Sequence, residues 1–419
     1  MIATPGLAVR DHTIAVPLDH ADPDGATIDV FAREVVSPAR AGDDLPWLLF
    51  LQGGPGGKSP RPLQAEAWLA RALKTHRVLL LDQRGTGRST PVTARTVAGM
   101  EPERLAAYLR LFRADSIVAD AEIARERIAG VRQWETLGQS YGGFITLAYL
   151  SRAPESLRAC YVTGGLPGLT TTADDVYART YPRVAAKNAE FYREYPQDVA
   201  TVRRIADHLE ANEVFLPDGD RFTARRLRVA GSCFGMSDGY ARIHWMLDEA
   251  WHGKDLSDGF LYQMMMETAF VDMPIFALQE FTYGQGTFAA NWSADRELAN
   301  HPEFAADADP LLFTGEMFYP WMFREIRSLE PFAAAADLLA AHADWPILYD
   351  AARLATNEVP VRAAVYFDDM YVDANLQLET ARAVGNTRVW ITNAYEHNGL
   401  RAAGEYILDR LMGMVDGRY

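Results

Sequence analysis

The sequence predicts an α/β protein, a mostly parallel sheet with helices on both faces, split by a long helical insertion. Three observations predict it. Short apolar runs such as Trp47–Leu51 and Arg77–Leu81 end in Gly-rich loops, the mark of strands buried on both faces. Strand-like and helix-like stretches alternate through the first part of the chain, which is what a parallel sheet with crossover helices requires. The alternation then gives way to helix-like sequence rich in Tyr, Phe, Trp and Met, and returns near the C-terminus with Val361–Phe367. The expected organisation is therefore a first sheet segment at 1–169, a helical cap at 170–355 and a second sheet segment at 356–419.

The elements follow in order. His12–Pro17 and Thr27–Val35 flank the turn Asp22-Pro-Asp-Gly25 and predict a hairpin. Leu63–Thr75, between the two apolar runs, has helical spacing. A helix is expected at Ser116–Ala129, a strand at Trp134–Leu137, a Gly-rich turn, a helix at Phe144–Ala153 and a strand at Leu157–Thr163. After the insertion come the strand Val361–Phe367, a helix at Ala374–Val384, a strand at Thr387–Ile391 and a last helix from about Leu400.

Composition narrows the function classes. The 419 residues carry a net charge of −15, with no basic stripe, which argues against binding a nucleic-acid backbone. Two cysteines, Cys160 and Cys233, are too few for a disulfide framework. The N-terminus lacks the basic start and apolar run of a signal peptide, and no apolar stretch reaches membrane-spanning length. A cytoplasmic protein is expected, with no membrane partner; the sequence leaves open whether it is a homo-oligomer.

The chemistry is carried by Gly138-Gln139-Ser140-Tyr141-Gly142, a G-x-S-x-G turn that follows a strand and precedes an apolar helix. In that context the motif predicts the nucleophile turn of an α/β-hydrolase fold. Flanking glycines let strand and helix pack closely around a strained serine, and the helix N-terminus favours negative charge there. The loop Gln52-Gly-Gly-Pro-Gly-Gly57 can aim backbone N–H groups into a cavity. An acyl-transfer enzyme needs such donors for its oxyanion, and the N–H groups of Gly54 and Tyr141 are the candidates. Neither this loop nor Gly85-Thr86-Gly87 has the spacing of a phosphate-binding or dinucleotide-binding turn. In this fold the acid and then the histidine follow the serine along the chain. Of the nine histidines, His397 alone sits in a loop after a late strand and before a final helix. The acid should stand just past the strand Val361–Phe367, where Asp369 is chosen over Asp368, with Asp373 as a third option. No metal-binding spacing is present, so neither metal nor cofactor is expected.

Taken together, Val16-Pro-Leu-Asp-His20, Gln52-Gly-Gly-Pro-Gly56, Asp82-Gln-Arg-Gly-Thr-Gly-Arg-Ser89, Gly138-Gln-Ser-Tyr-Gly-Gly143, Asp368-Asp-Met-Tyr-Val372 and Glu396-His-Asn-Gly-Leu400 resemble the prolyl aminopeptidases, or proline iminopeptidases, in the longer form with an enlarged cap. The cap matches through Gln279-Glu280, Tyr283-Gly-Gln-Gly286 and Thr314-Gly-Glu-Met317. One departure is Gln52, where many relatives carry His; it should alter loop hydrogen bonding more than the oxyanion donors. The resemblance implies a serine peptidase that releases N-terminal proline from peptides.

A substrate amine next to the scissile bond calls for carboxylates in a water-poor pocket. Glu280 and Glu316 of the cap are the candidates, with Glu267 third, and Phe260–Met266, Phe281–Tyr283 and Met317–Phe323 offer apolar surface that serves either a proline ring or the cap's own core. The competing expectation is a carboxylester hydrolase with an apolar pocket, since fold and triad serve both chemistries.

Overall fold

The computed structural model describes residues 2–419; Met1 lies outside them. One nine-stranded sheet runs in the order β1-β2-β3-β5-β4-β6-β7-β8-β9. Its strands are β1 (Ile2–Thr4), β2 (Leu7–Pro17), β3 (Thr27–Val36), β4 (Trp47–Leu51), β5 (Arg77–Leu81), β6 (Trp134–Gln139), β7 (Leu157–Thr163), β8 (Val361–Tyr366) and β9 (Thr387–Thr392). β2 and β3 form the antiparallel hairpin expected around Asp22–Gly25, and β3 pairs antiparallel with β5. From β5 to β9 every pairing is parallel.

Side chains two apart on a strand share a face, and the central strands use both faces. Leu48 and Phe50 of β4, with Val78 and Leu80 of β5, join one core cluster; Leu49, Leu51, Leu79 and Leu81 join the other. That is why these strands read as continuous apolar runs. On the first face Trp68 and Leu69 of α1 (Ala67–Ala72) meet Leu408 and Leu411 of the last helix; on the second lie Ile117 of α2 (Ala114–Ala124) and Ile145 of α3 (Tyr141–Arg152).

Two helix expectations need correction. The stretch Leu63–Thr75 is helical only at α1; Pro60 and Pro62 precede it and Leu63 is 80% exposed. Proline removes a donor and disfavours helix in the residue before it. Ser116–Ala129 becomes α2 followed by one wider turn at Arg125–Ala129, closed by Gly130 in the left-handed region at φ 66°.

Between β7 and β8 the chain is mainly helical, with three two-stranded ribbons such as Val214–Phe215 with Arg221–Phe222. Its longest helix, α4 (Ala173–Glu194), starts on a capping box in which Thr172 and Asp175 exchange hydrogen bonds. Its Tyr177, Tyr181, Val184 and Phe191 enter a core cluster shared with Met370 and Tyr371, which follow β8. The inserted helices are thereby packed directly onto the loop at the end of β8. The chain closes with α5 (Gly404–Val415).

Candidate active site

Ser140 stands between β6 and α3 with φ 55° and ψ −125°. A non-glycine residue holds such a backbone only when its surroundings over-determine it. Here the Ser140 N–H donates to Thr163 O at 2.9 Å, and Ser140 O accepts from Gly143 N at 2.7 Å. The motif glycines are needed for space: a Cβ on Gly138 or Gly142 would collide with the backbone of Gly142 and of Leu51 respectively. A Cβ on Gly53 would lie 2.7 Å from that of Ser140, so the Gly-rich loop lies against the serine. Among the described residues, the N–H groups of Gly54 and Tyr141 donate to no protein acceptor.

β8 ends at Tyr366, and the next turn separates the two aspartates. Asp368 is exposed; Asp369 is fully buried. Asp369 Oδ1 accepts from the N–H groups of Tyr371 (2.8 Å) and Val372 (3.1 Å), which leaves Oδ2 for His397 Nδ1 at 2.6 Å. Asp373, the third option, instead caps the helix after it and pairs with Arg183 at 3.2 Å. His397 is 3% exposed, its ring lies edge-on to Tyr371 at 4.8 Å, and its N–H donates to Gly235 O at 3.1 Å. Gly164 and Gly165 fill the gap between histidine and serine. A Cβ on Gly164 would come within 3.1 Å of His397 Nδ1, and one on Gly165 would collide with Ser140 O. Ser140 Oγ and His397 make no hydrogen bond here; such contacts often tighten only when substrate is bound. Burial pushes the His397 pKa down, but Asp369 and, less strongly, Glu316 and Glu396 outweigh it and hold it above the ordinary imidazole value.

The candidate carboxylates of the inserted segment differ. Glu280 is buried and both its oxygens are taken, accepting from Ser293 N at 3.0 Å and Ala294 N at 2.9 Å. Burial raises its pKa to about 7 despite those bonds. Glu316 makes no ion pair among the described residues. It feels His397 and Asp369 electrostatically, sits beside the Gln279 amide, and is pushed by burial to about 8. Glu267 pairs with Arg242 in partly exposed surroundings. Tyr177 and Tyr283, both held well above the usual phenol range chiefly by burial, sense Glu280 and Glu316 alike, so the two carboxylates share one neighbourhood.

Tyr283, Tyr371, Phe144, Leu166 and Tyr349 line a mainly apolar cavity that also takes in Asp373 and Gln285; of these residues, Tyr371 packs against His397. Phe260 and Phe281 are instead buried in the core of the inserted segment. Gln52 turns its side-chain amide towards Gln139 at 3.5 Å, while its backbone carbonyl accepts from Gln83 Nε2 at 2.7 Å. Both cysteines are buried, and burial raises each thiol to about 12; a thiolate nucleophile has no support there. No group of His, Cys, Asp and Glu among the described residues could hold a metal ion. Sequence reasoning missed the surroundings of His397, namely Gly235, Tyr371 and a part-buried pair between Lys187 and Glu396.

A parallel sheet entered by an antiparallel hairpin, with a serine on a strained strand–helix turn and a carboxylate-bound histidine after the last strand, defines an α/β hydrolase; the model of the alpha/beta hydrolase fold matches residues 46–207. The proline iminopeptidase of Aeromonas sobria is 47% identical over 410 residues, covering 97% of this chain and 96% of that protein. A proline iminopeptidase of Aspergillus aculeatus is 34% identical, covering 96% of this chain and 92% of its own length. The chain belongs to the proline iminopeptidase family.

Proposed function

We propose that this chain is a serine exopeptidase that removes N-terminal proline from peptides, with Ser140 as nucleophile, His397 as base and Asp369 as its orienting acid. The observation that carries the reading is the 2.6 Å contact between His397 and Asp369, taken together with a strained serine and a half-buried Glu316 that has no ion pair among the described residues. Ser140 Oγ attacks the prolyl carbonyl carbon while His397 Nε2 takes its proton. The N–H groups of Gly54 and Tyr141 hold the oxyanion. Collapse breaks the C–N bond, and the leaving amine takes the proton from His397. Water, deprotonated by the same imidazole, then hydrolyses the prolyl ester.

Glu316 would hold the substrate's ring ammonium. A carboxyl kept near 8 by burial ionises when a cation arrives, so the contact forms only with an amine-bearing substrate. Glu280, whose oxygens already serve the backbone, would act behind it by fixing the helix Ser293–Leu298. The 170–355 segment is then the cap that measures the N-terminus. No described helix is long and apolar enough to cross a membrane, and the low cysteine content favours a cytoplasmic setting. The test is turnover of a proline arylamide against that of a short-chain aryl ester without an amine. Preference for the arylamide is expected; strong preference for the ester would replace the peptidase reading with that of a carboxylester hydrolase.

A further inference from the structure

The loop that carries His397 is held from the inserted segment as well as from the sheet. His397 N–H donates to Gly235 O, Ser237 N–H donates to Asn398 Oδ1 at 3.0 Å, and Asn398 Nδ2 donates to Ser237 Oγ at 3.1 Å. At the centre lies an ion pair. Lys187 of α4, only 3% exposed, donates to Glu396 Oε1 at 2.6 Å, immediately before the histidine. The second oxygen of Glu396 is buried with no partner. The Lys187 amine is not withdrawn from water cheaply, while the Glu396 side chain stays 28% exposed.

We propose that Lys187 and Glu396 are positioning residues through which α4 sets the place and electrostatic surroundings of His397, coupling the inserted helices to the chemical step. The inference rests on His397 being the base. The groups facing that imidazole are Asp369 after β8, Glu316 from the inserted segment, the ring of Tyr371, and Glu396 on its own loop. Those facing Glu396 are Lys187 and Glu190 of α4, Asp369 after β8, and Tyr240, whose hydroxyl donates to Glu190 at 2.9 Å. Glu190 also lies 3.7 Å from Lys187, so Lys187 keeps a partner when Glu396 is neutralised.

The experiment is steady-state kinetics across pH with a proline arylamide. Glu396→Gln should lower kcat about threefold or more with KM within about twofold, because the base acts in the chemical step. It should also move the acid limb of kcat/KM down by roughly half a pH unit, since a negative neighbour of the imidazole is gone. Lys187→Met should lower kcat in the same way, and the double variant should lose no more than the worse single one, as coupled partners do. An unmoved acid limb with kcat unchanged, or additive losses in the double variant, would reduce the pair to a strut and overturn the proposal. If Glu396→Gln fails to fold, Lys187→Met alone decides: kcat within about twofold of the parent overturns it. Should His397→Ala retain activity, the base assignment itself would fall, a result distinct from these.

Discussion

Ser140 and one oxygen of Asp369 are each held by backbone groups, which makes single substitutions informative. The serine's strained conformation is held by Thr163 O and Gly143 N–H, contacts that do not involve its hydroxyl. Ser140→Ala should therefore melt like the parent while losing on the order of a thousandfold or more in kcat; retention of a tenth of the activity would refute the assignment. The aspartates differ by one residue and by their whole environment. Asp369→Asn replaces the oxygen facing His397 Nδ1 with a group that cannot stabilise an imidazolium, so kcat should fall by on the order of a thousandfold. The exposed Asp368→Asn should stay within about twofold, and the reverse order would move the acid to Asp368. The pH profile follows from the histidine. In the proposed mechanism its neutral form is the base, and its pKa is held above the usual 6.5, so kcat/KM should fall as pH drops through a midpoint above that value. A midpoint well below it would mean that burial, not Asp369, governs the imidazole.

Among the elements, those whose signal is local were legible in sequence. The strand–turn–helix around Ser140 was readable because Gly138 and Gly142 sit two residues either side of the serine and are needed there for space. The strands β4 and β5 were readable because both their faces are buried. What escaped depends on distant partners. The Lys187–Glu396 contact spans 209 residues, and no periodicity encodes it. The helix expected at Leu63–Thr75 is shorter than its apolar spacing suggests, since Leu63 is exposed and faces no core. The carboxylates of the inserted segment show how far composition goes. Glu280 and Glu316 both stand among aromatic and Met residues, yet Glu280 receives two backbone N–H groups at the start of the helix Ser293–Leu298. Glu280→Gln points an amide NH₂ at a backbone donor, costing about 1–3 kcal/mol. It should lower Tm and reduce arylamide and ester turnover together. Selective loss of the arylamide reaction would instead place Glu280 on the substrate amine.

For the whole molecule, the same burial that prepares Glu316 for a cation should make it a liability in the empty protein. Its folded pKa, about 8, lies above the ordinary 4.5 because burial penalises the charged form. A carboxyl whose pKa is raised by folding contributes its full stability below the unfolded value and loses it as pH rises through the folded one. The window is therefore about pH 4.5 to 8. Glu316→Gln does not titrate and keeps nearly the same shape. Parent and variant should melt within about a degree of each other at pH 5. By about pH 8.5 the variant should melt higher by several degrees, about five at most, since each tenfold change in an ionisation constant is worth about 1.4 kcal/mol and a chain of this length spreads the total over a large unfolding entropy. The variant should at the same time lose turnover of proline arylamides while sparing an ester without an amine. A ligand bearing the cation should close the stability gap, because it supplies the partner that the empty carboxylate lacks. Thermal melts at the two pH values, with and without free proline, provide the measurement. A gap that does not change with pH would mean that Glu316 is already solvated or paired, and the search for the amine's partner would pass to Glu280.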